Sequence, residues 1–338
     1  MERLIRVDEW NAGVPLQLLN TAPTPLDAFY TRSNFGIPDV DGDSWHLAVD
    51  GLVALPRTFS IDELRSLGAS SELVTVECAG NGRLLMEPVP DGTPWGLGAI
   101  SVGEFTGVPL RAVLDLVEPR DEVTEFVFTG ADRGVVEPEG EINYAFSLEA
   151  VNALADSPIL VWEMNGEPLT AEHGAPLRLL VPASYGMCSV KWLTTITAVD
   201  EPFDGHFRLK YRYYGDRDEL EEAPVGVVRV RALITTPEDG STTGSSLELN
   251  GVAWSGEGGI ASVAVQVDDE EWFQAILGPQ QARFAPTPWS VKVSLEPGAH
   301  LIAARATDEQ DRTQPLTPVW NRNGYANNVV HRIEISTV

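Results

Sequence analysis

The chain has 338 residues, of which 43% are hydrophobic, with 30 Gly, 24 Pro and a formal net charge of −27. This length favours two domains, and the many Gly and Pro favour turns and strands over long helices. The charge argues against nucleic acids and anionic membranes as partners, because both require basic surface. No apolar run is long enough to cross a bilayer, and residues 1–10 resemble neither a secretory signal nor a twin-arginine signal, which predicts a soluble cytoplasmic protein.

The charge balance leaves two interpretations open. Of the 23 basic residues, only Lys191, Lys210 and Lys292 are lysines, so the predicted surface is acidic and biased towards arginine. This composition is compatible with adaptation to high salt. It is equally compatible with an ordinary acidic bacterial enzyme, because net charge bears on solubility and not on fold.

Hydrophobic periodicity predicts short elements of both kinds over the first two thirds of the chain. Residues 28–38 read as an ordered loop, and Ser60 with Glu63 forms a capping box at the start of a helix over 60–67. Further helices are predicted over 108–117, with Pro109 in the first turn, and over 147–155. Strands are predicted over 45–49, 74–77, 125–128, 159–163, 177–181 and 193–199.

A polar, acidic stretch after Tyr214 marks a domain boundary, so we predict domains at 1–222 and 223–338. The second domain contains short alternating runs separated by turn dipeptides, the spacing of a β-sandwich. The runs are 227–234, 247–253, 261–267, 289–295 and 300–307, and the predicted turns are Asp239-Gly240, Asn250-Gly251, Gly258-Gly259 and Pro297-Gly298. The overall class is α+β.

Cys78 ends the strand over 74–77 and lies in a loop of small residues that includes Gly80 and Gly82. Soft thiolate sulfur suits a soft or redox-active metal, and the glycines would let a bulky cofactor approach the backbone. The alternative is a buried structural cysteine, the commoner fate of a lone Cys. The other cysteine, Cys188, has no evident role, and the lack of paired Cys and His motifs argues against zinc and iron–sulfur sites. A disulfide is possible by count, but a cytosolic location argues against it.

The loop at 74–83 closely resembles the cofactor loop of the sulfite oxidase family, whose cysteine sulfur ligates molybdenum held by molybdopterin. Four further stretches resemble motifs of this family and occur in the same order along the chain. They are 30–34, 94–101, 173–193 and 319–332. The resemblance implies a mixed α/β molybdopterin domain followed by an immunoglobulin-like dimerisation domain, and thus a homodimer.

The resemblance also implies roles for individual residues. Cys78 would ligate the metal, Arg32 and Arg83 would clamp a small oxyanion, Trp95 would line the substrate pocket, and Tyr213 would be the active-site tyrosine. Tyr211 or Tyr214 could take the last role, because the spacing from His206 differs by one from that of the animal enzymes. The implied cofactor-binding residues are Tyr30, Thr31, Arg32, Ser33, Asn34, Cys78, Asp132, His173, Arg178, Ser189, Val190 and Lys191.

These residue types suit a phosphate-bearing pterin, because His173, Arg178, Ser189 and Lys191 supply cations and hydrogen-bond donors. Considered singly, each has an ordinary alternative. His173 could be a satisfied structural histidine, Lys191 a solvated charge, Asp132 a turn former, and either arginine a salt-bridge partner.

The activity implied by the resemblance is oxidation of sulfite, with electrons passed to an external acceptor because no haem-binding segment or C-x-x-C-H motif is present. A nitrate or S-oxide reductase on the same scaffold is the alternative enzyme, and an extracellular scaffold or adhesion protein is the non-enzymatic one. Two departures from the animal enzymes bear on the substrate: Gly82 and Asn323 stand where those enzymes have arginine.

Overall fold

The computed structural model describes residues 4–42, 44–213, 223–268 and 270–338, and strands dominate these residues. The described α-helices have at most six residues, so the predicted excess of strands over helices is confirmed. They are α1 (Ile61–Ser66), α2 (Leu110–Asp115), α3 (Ala150–Ala153) and α4 (His206–Lys210). Single 3₁₀ turns lie at Leu16–Asn20, Leu26–Ala28, Arg83–Leu85 and Gly186–Cys188. None of the described helices could span a membrane.

The strands before residue 225 are β1 (Ile5–Arg6), β2 (Ala12–Gly13), β3 (Leu47–Gly51), β4 (Arg57–Phe59), β5 (Ser70–Glu77), β6 (Ile100–Pro109), β7 (Glu125–Val136), β8 (Gly140–Glu149), β9 (Ile159–Met164), β10 (Glu167–Pro168), β11 (Arg178–Leu180), β12 (Leu193–Val199), β13 (Arg212–Tyr213) and β14 (Ala223–Pro224). Ten of them form two larger sheets, ordered β10-β9-β6-β5 and β4-β3-β12-β7-β8, with β11 beside β9, while β1 pairs with β2 and β13 with β14. The second sheet is mixed, because β12 runs parallel to β3 and antiparallel to β7. Both sheets contribute to one apolar core, for example through Phe126, Ile196, Leu160 and Leu179.

The remaining strands are β15 (Arg231–Thr236), β16 (Thr242–Thr243), β17 (Ser246–Trp254), β18 (Ile260–Val267), β19 (Phe273–Gln274), β20 (Ile276–Leu277), β21 (Thr287–Ser294), β22 (Gly298–Asp308) and β23 (His331–Thr337). They form two sheets, ordered β15-β17-β21-β20 and β16-β23-β22-β18-β19. Leu249 and Trp289 of the first sheet share a second core with Val263, Ile302 and Ile333 of the other. The predicted boundary at 222/223 adjoins residues 214–222, which lie outside the described part, and it stays a prediction.

One predicted turn is wrong. Asn250 and Gly251 lie inside β17, where Gly251 pairs with Ile234 on one side and with Trp289 on the other. A side chain at Gly251 would collide with the Leu233 carbonyl and the Trp289 ring. The glycine therefore serves the close approach of neighbouring strands, not a turn.

Two predicted helices are longer than the observed ones, because their first residues belong to paired strands. Val108 and Pro109 pair with β9, so α2 begins only at Leu110. Ser147 pairs with Val127 of β7, and α3 is a single turn that begins at Ala150. The predicted strand over 125–128 is the start of a hairpin, β7–β8, that extends to Glu149.

Candidate active site

Cys78 directly follows β5, at the point where that strand leaves its pairing with β6. The Cys78 amide donates to the Ala99 carbonyl at 2.9 Å, and the Cys78 carbonyl accepts from the Asn81 amide at 3.0 Å. Gly82 has φ of 83°, a left-handed conformation that favours glycine, and the chain then enters the 3₁₀ turn at Arg83–Leu85. The loop thus presents a half-buried sulfur at the end of a buried strand.

A polar pocket adjoins this sulfur, and eleven of the twelve predicted cofactor-binding residues line it. They are Tyr30, Thr31, Arg32, Ser33, Asn34, Cys78, Asp132, His173, Arg178, Ser189 and Lys191. Val190 is the exception, since its side chain is buried in the core while its carbonyl accepts from the Leu179 amide at 2.8 Å. Segments far apart in sequence therefore meet around one cavity.

One end of the pocket contains the buried residues Arg178 and His173 and the half-buried Lys191. The Lys191 ammonium donates to the Glu172 carbonyl at 2.7 Å and to the Ser33 hydroxyl at 3.2 Å. Arg178 donates to the His173 carbonyl at 3.1 Å, while its Nε has no hydrogen-bond partner among the described residues. Burial, reinforced by Arg178, lowers the pKa of Lys191 to about 7. Burial, reinforced by Lys191 and Arg178, lowers the pKa of His173 to about 3, so its imidazole is neutral at physiological pH.

Asp132 supplies the opposite polarity in the same pocket. Its Oδ1 is buried without a hydrogen-bond partner among the described residues, and burial raises the pKa of its carboxyl group to about 6. An acceptor in this state is suited to a ligand that donates a hydrogen bond, because an unpaired buried polar group is costly.

The donor set fits the phosphate-bearing pterin that the sequence resemblance implies. Arg178 is a buried cation that a phosphate would compensate, and the same phosphate would favour the charged form of the half-buried Lys191. The unpaired oxygen of Asp132 could accept from a pterin N–H group. Cys78 places a soft sulfur ligand at the same cavity. These residues could therefore hold such a cofactor.

A second pocket adjoins the first, and Cys78, Arg32 and Tyr211 line both of them. The other residues that line it are Gly80, Arg83, Asp91, Gly92, Thr93, Trp95, Lys210, Asn323 and Tyr325. Trp95, which the family resemblance assigns to the substrate pocket, lines this second pocket. The sulfur of Cys78 lies at the boundary between a cavity suited to a cofactor and one that contains three cationic side chains.

The two predicted clamp arginines have different surroundings. Arg32 donates to Asn34 Oδ1 at 2.7 Å, to Asn11 Oδ1 at 3.4 Å and to the Ser33 carbonyl. Arg83 is buried and donates to the carbonyl groups of Thr93 at 2.5 Å and Asn323 at 2.9 Å, which ties its guanidinium to backbone. Arg83 therefore also supports the wall of the second pocket.

Of the candidate tyrosines 211, 213 and 214, Tyr211 is the one whose side chain the structure describes. It is buried, lines both pockets, and its hydroxyl accepts from Asn34 Nδ2 at 3.4 Å. The family resemblance assigns the active-site role to Tyr213, whose side chain lies outside the described residues, as does all of Tyr214. The assignment to Tyr213 remains a prediction.

Sequence reasoning missed several residues that line or support the pockets. Lys210 and Tyr325 line the second pocket, and Asn11 bonds to Arg32 and to the Ser33 amide at 3.1 Å. Tyr325 lies within a stretch that carried the family resemblance, and Lys210 directly precedes the candidate tyrosines, so the sequence position of each was an available signal. Asn11 lies outside every motif. Cys188 is a free, buried thiol, and burial raises its pKa to about 12, which leaves it neutral.

Comparison with known proteins agrees with this geometry. The family model described as oxidoreductase molybdopterin binding domain matches residues 34–207, and the Mo-co oxidoreductase dimerisation domain matches residues 223–338. The crystal structure of the sulfane dehydrogenase SoxCD from Paracoccus pantotrophus superposes with a TM-score of 0.85 at 25% identity, covering 98% of this chain and 87% of that one.

Curated relatives carry different names. Mitochondrial sulfite oxidase of Rattus norvegicus is 32% identical over 97% of this chain, which spans 64% of that protein. Nitrate reductase [NADH] of Lotus japonicus is 31% identical over 99% of this chain, which spans 41% of that protein. The first-domain model alone covers more than half of the chain. Sulfite oxidase of Gallus gallus is 31% identical over 96% of this chain, which spans 75% of that protein. The chain therefore belongs to the sulfite oxidase family, and it is an oxidoreductase whose cofactor is molybdenum held by molybdopterin.

Proposed function

We propose that this chain oxidises sulfite to sulfate and passes the electrons to an external acceptor. The observation that carries the proposal is the position of Cys78 between a pterin-compatible pocket and a second pocket lined by Arg32, Arg83 and Lys210. When bound, the cofactor supplies oxygen-atom transfer, by which sulfite and water give sulfate, two protons and two electrons.

In this proposal Cys78 provides the thiolate that ligates the metal, since the thiolate and not the thiol is the metal ligand. Arg178, Lys191, Ser189 and His173 hold the phosphate end of the cofactor, with the neutral imidazole of His173 as a hydrogen-bonding group. Asp132 accepts a hydrogen bond from the pterin. Tyr30, Thr31, Ser33 and Asn34 complete the wall of this pocket.

Arg32 and Arg83 bind the oxyanion, because a guanidinium stays charged and can form two parallel hydrogen bonds. Local cations are required, since the field of a molecule with net charge −27 repels an anion. The buried hydroxyl of Tyr211 orients the anion beside the sulfur, with Tyr213 as the competing assignment. Trp95 excludes water from the wall of the pocket.

We extend the proposal to the whole chain. Residues 1–222 would form the molybdopterin domain, and residues 223–338 an immunoglobulin-like sandwich that pairs two chains in a homodimer. The two sheets around one core and the match to a dimerisation domain support this division. The cytoplasmic location stays a prediction.

Reduction of nitrate is the second candidate. It is supported by the match to a nitrate reductase at 31% identity, close to the 32% of the sulfite oxidase match. Steady-state assays of the purified holoenzyme with sulfite, nitrate and methionine sulfoxide would separate the candidates. Turnover of nitrate without sulfite-dependent dye reduction would contradict the assignment of sulfite as substrate.

The direct test of the proposal is Cys78→Ser in protein purified from a host that makes molybdopterin. Loss of the sulfur ligand should reduce sulfite-dependent dye reduction by well over about 100-fold, a larger effect than removal of a residue that only supports a ligand. Circular dichroism should be unchanged. Cys188→Ala is the matched control, since Cys188 lies in the apolar core. Sulfite turnover that survives in Cys78→Ser would contradict the proposal.

A further inference from the structure

The residue before the proposed metal ligand is a buried carboxylate. The side chain of Glu77 is 1% exposed, and its Oε1 lies 3.4 Å from Nε of Arg231, whose side chain is 3% exposed. The second oxygen, Oε2, accepts from Nε1 of Trp254 at 2.9 Å. Glu77 ends β5, whereas Arg231 and Trp254 pair with each other across β15 and β17. The ion pair thus joins the strand that leads to Cys78 to the C-terminal sheets.

The same ion pair is tied to the far end of the cysteine loop through Asn81. Asn81 Nδ2 donates to Glu77 Oε1 at 3.0 Å, and Nη2 of Arg231 donates to the Asn81 carbonyl at 3.3 Å. Asn81 Oδ1 in turn accepts from the Ala99 amide at 3.1 Å. Cys78 therefore lies between two residues that both bond to Arg231.

The backbone of the loop has two further ties to the C-terminal part of the chain. The Ala326 amide donates to the Ala79 carbonyl at 2.7 Å. Asn327 Nδ2 donates to the Gly82 carbonyl at 2.8 Å. Between Glu77 and Gly82, the carbonyl groups of Ala79, Asn81 and Gly82 are thus all bonded to residues beyond 230.

An arrangement of this kind has a specific physical consequence. A buried charge that loses its partner is strongly unfavourable, so Glu77 and Arg231 constrain each other to a narrow set of positions. Because Glu77 and Asn81 flank Cys78 in a loop of small residues, that constraint also limits where the sulfur can point. A site that must hold a ligand to within about half an ångström requires such support.

We infer that Glu77 and Arg231 are positioning residues for Cys78, and that their ion pair makes the C-terminal sheets the rear support of the metal-ligating loop. The inference rests on the proposed role of Cys78 as the metal ligand. It assigns to the dimerisation domain a part in the cofactor site of its own chain. The alternative is that the ion pair merely stabilises the contact between the two halves of the molecule.

Hydrogen exchange of cofactor-free protein separates these roles. The variants are Glu77→Gln, Arg231→Gln and the double variant, with exchange followed by mass spectrometry in peptides that cover 78–83 and the β7–β8 hairpin. If the pair positions the loop, each single variant should speed exchange at 78–83 by at least about tenfold, with little change in the hairpin. The double variant should exchange more slowly than either single one, because no unpaired charge remains.

A milder pair of variants covers the case in which the charge variants do not fold. Trp254→Phe removes only the indole donor to Glu77, whereas Trp289→Phe removes a buried indole whose Nε1 has no hydrogen-bond partner among the described residues. Trp254→Phe should speed exchange at 78–83 by about tenfold or more, the effect of losing one hydrogen bond to a charged group, while Trp289→Phe should leave it unchanged.

Two outcomes would overturn the inference. One is equal acceleration in the loop and in the hairpin, which would show a general loss of stability. The other is unchanged exchange at 78–83 in Trp254→Phe and in every charge variant that folds. Molybdenum analysis of wild-type protein is a separate measurement: its failure would refute the proposed function, while the exchange data would still report how the loop is held.

Discussion

At the scale of single residues, one described residue with a hydroxyl group lines both the cofactor pocket and the second pocket. Tyr211 lines both pockets, whereas the side chain of Tyr213 is outside the described residues. If Tyr211 orients the anion, Tyr211→Phe should lower kcat/KM for sulfite by about tenfold or more, the effect of one misplaced hydrogen bond at a reacting centre.

Tyr213→Phe is the matched comparison, since it removes the same atom two residues further along the chain. We expect kcat/KM within about twofold of wild type, a change too small for a group that acts in the transition state. The reverse result, with the loss confined to Tyr213→Phe, would restore the assignment made from the sequence. Steady-state kinetics of both variants at equal molybdenum content would decide.

The burial of Asp132 makes the stability of the folded protein depend on pH, and it determines the sign of that dependence. Because its pKa is raised to about 6, the folded protein binds this proton more tightly than the unfolded chain does. The favourable contribution of Asp132 to the free energy of unfolding is therefore present at low pH, and it is lost as pH rises from about 4 to about 6. In cofactor-free protein, Asp132→Asn should be more stable than wild type at pH 7, by an amount on the order of 2–3 kcal/mol.

Urea unfolding of both proteins at several pH values provides the measurement for Asp132. The difference between variant and wild type should grow as pH rises and level off above the pKa of the carboxyl group. A difference that is constant over the whole range would show that Asp132 does not titrate in this window.

Residues of the candidate site could be predicted where several of them share one contiguous stretch. Cys78 and Arg83 lie in one loop, and Ser189 and Lys191 lie in another, so local sequence carried the signal. Asn11 could not be predicted, because its contact with Arg32 depends on how the N-terminal segment folds back. Tyr211 could not be distinguished from Tyr213, because α4 ends between His206 and these tyrosines and the spacing alone does not fix the register.

At the scale of elements, helix α1 shows how far local chemistry determines structure. Ser60 Oγ accepts from the Glu63 amide at 3.2 Å, and Glu63 Oε2 accepts from the Ser60 amide at 2.9 Å, the capping box that the sequence predicted. A cap is recognisable because all of its atoms come from four consecutive residues. The starts of α2 and α3 were missed because they depend on pairing with distant strands.

Ser60→Ala removes this cap without touching either pocket. We expect a loss of about 1 kcal/mol in the free energy of unfolding, the usual cost of an N-cap. Ser66→Ala, at the other end of the same helix, is the control and should cost less than about 0.5 kcal/mol. Urea unfolding measures both, and sulfite kinetics should be unchanged. An unaltered unfolding free energy in Ser60→Ala would show that α1 is held by packing alone.

At the scale of the whole molecule, alternating patterns and turn residues were enough to predict a strand-rich α+β chain. The order of strands in the sheets was not predictable, because β12 pairs with β3 from almost 150 residues earlier, and no local pattern records such a partner. Gly251 shows the same limitation, because the need for glycine at this position arises from the Trp289 ring of another strand.

The net charge of −27 predicts a dependence on salt. Repulsion among surface carboxylates should be screened as ionic strength rises, so the thermal midpoint should increase between about 10 and 150 mM NaCl, where the Debye length falls to about 8 Å. Calorimetry and sulfite assays across salt would measure this effect. Full activity at low ionic strength would contradict adaptation to a saline habitat, and a midpoint independent of salt would contradict the repulsion itself.

The ties from Ala326 and Asn327 to the cysteine loop also constrain when the enzyme can mature during biosynthesis. A ribosome releases the chain from its N-terminus, so the Gly82 carbonyl emerges 245 residues before its partner Asn327. Until Ala326 and Asn327 have been synthesised, the cysteine loop lacks these hydrogen bonds, and the cofactor site of the nascent chain is incomplete. Loading of the cofactor is thus expected to follow translation through residue 327, which makes insertion a late step of assembly.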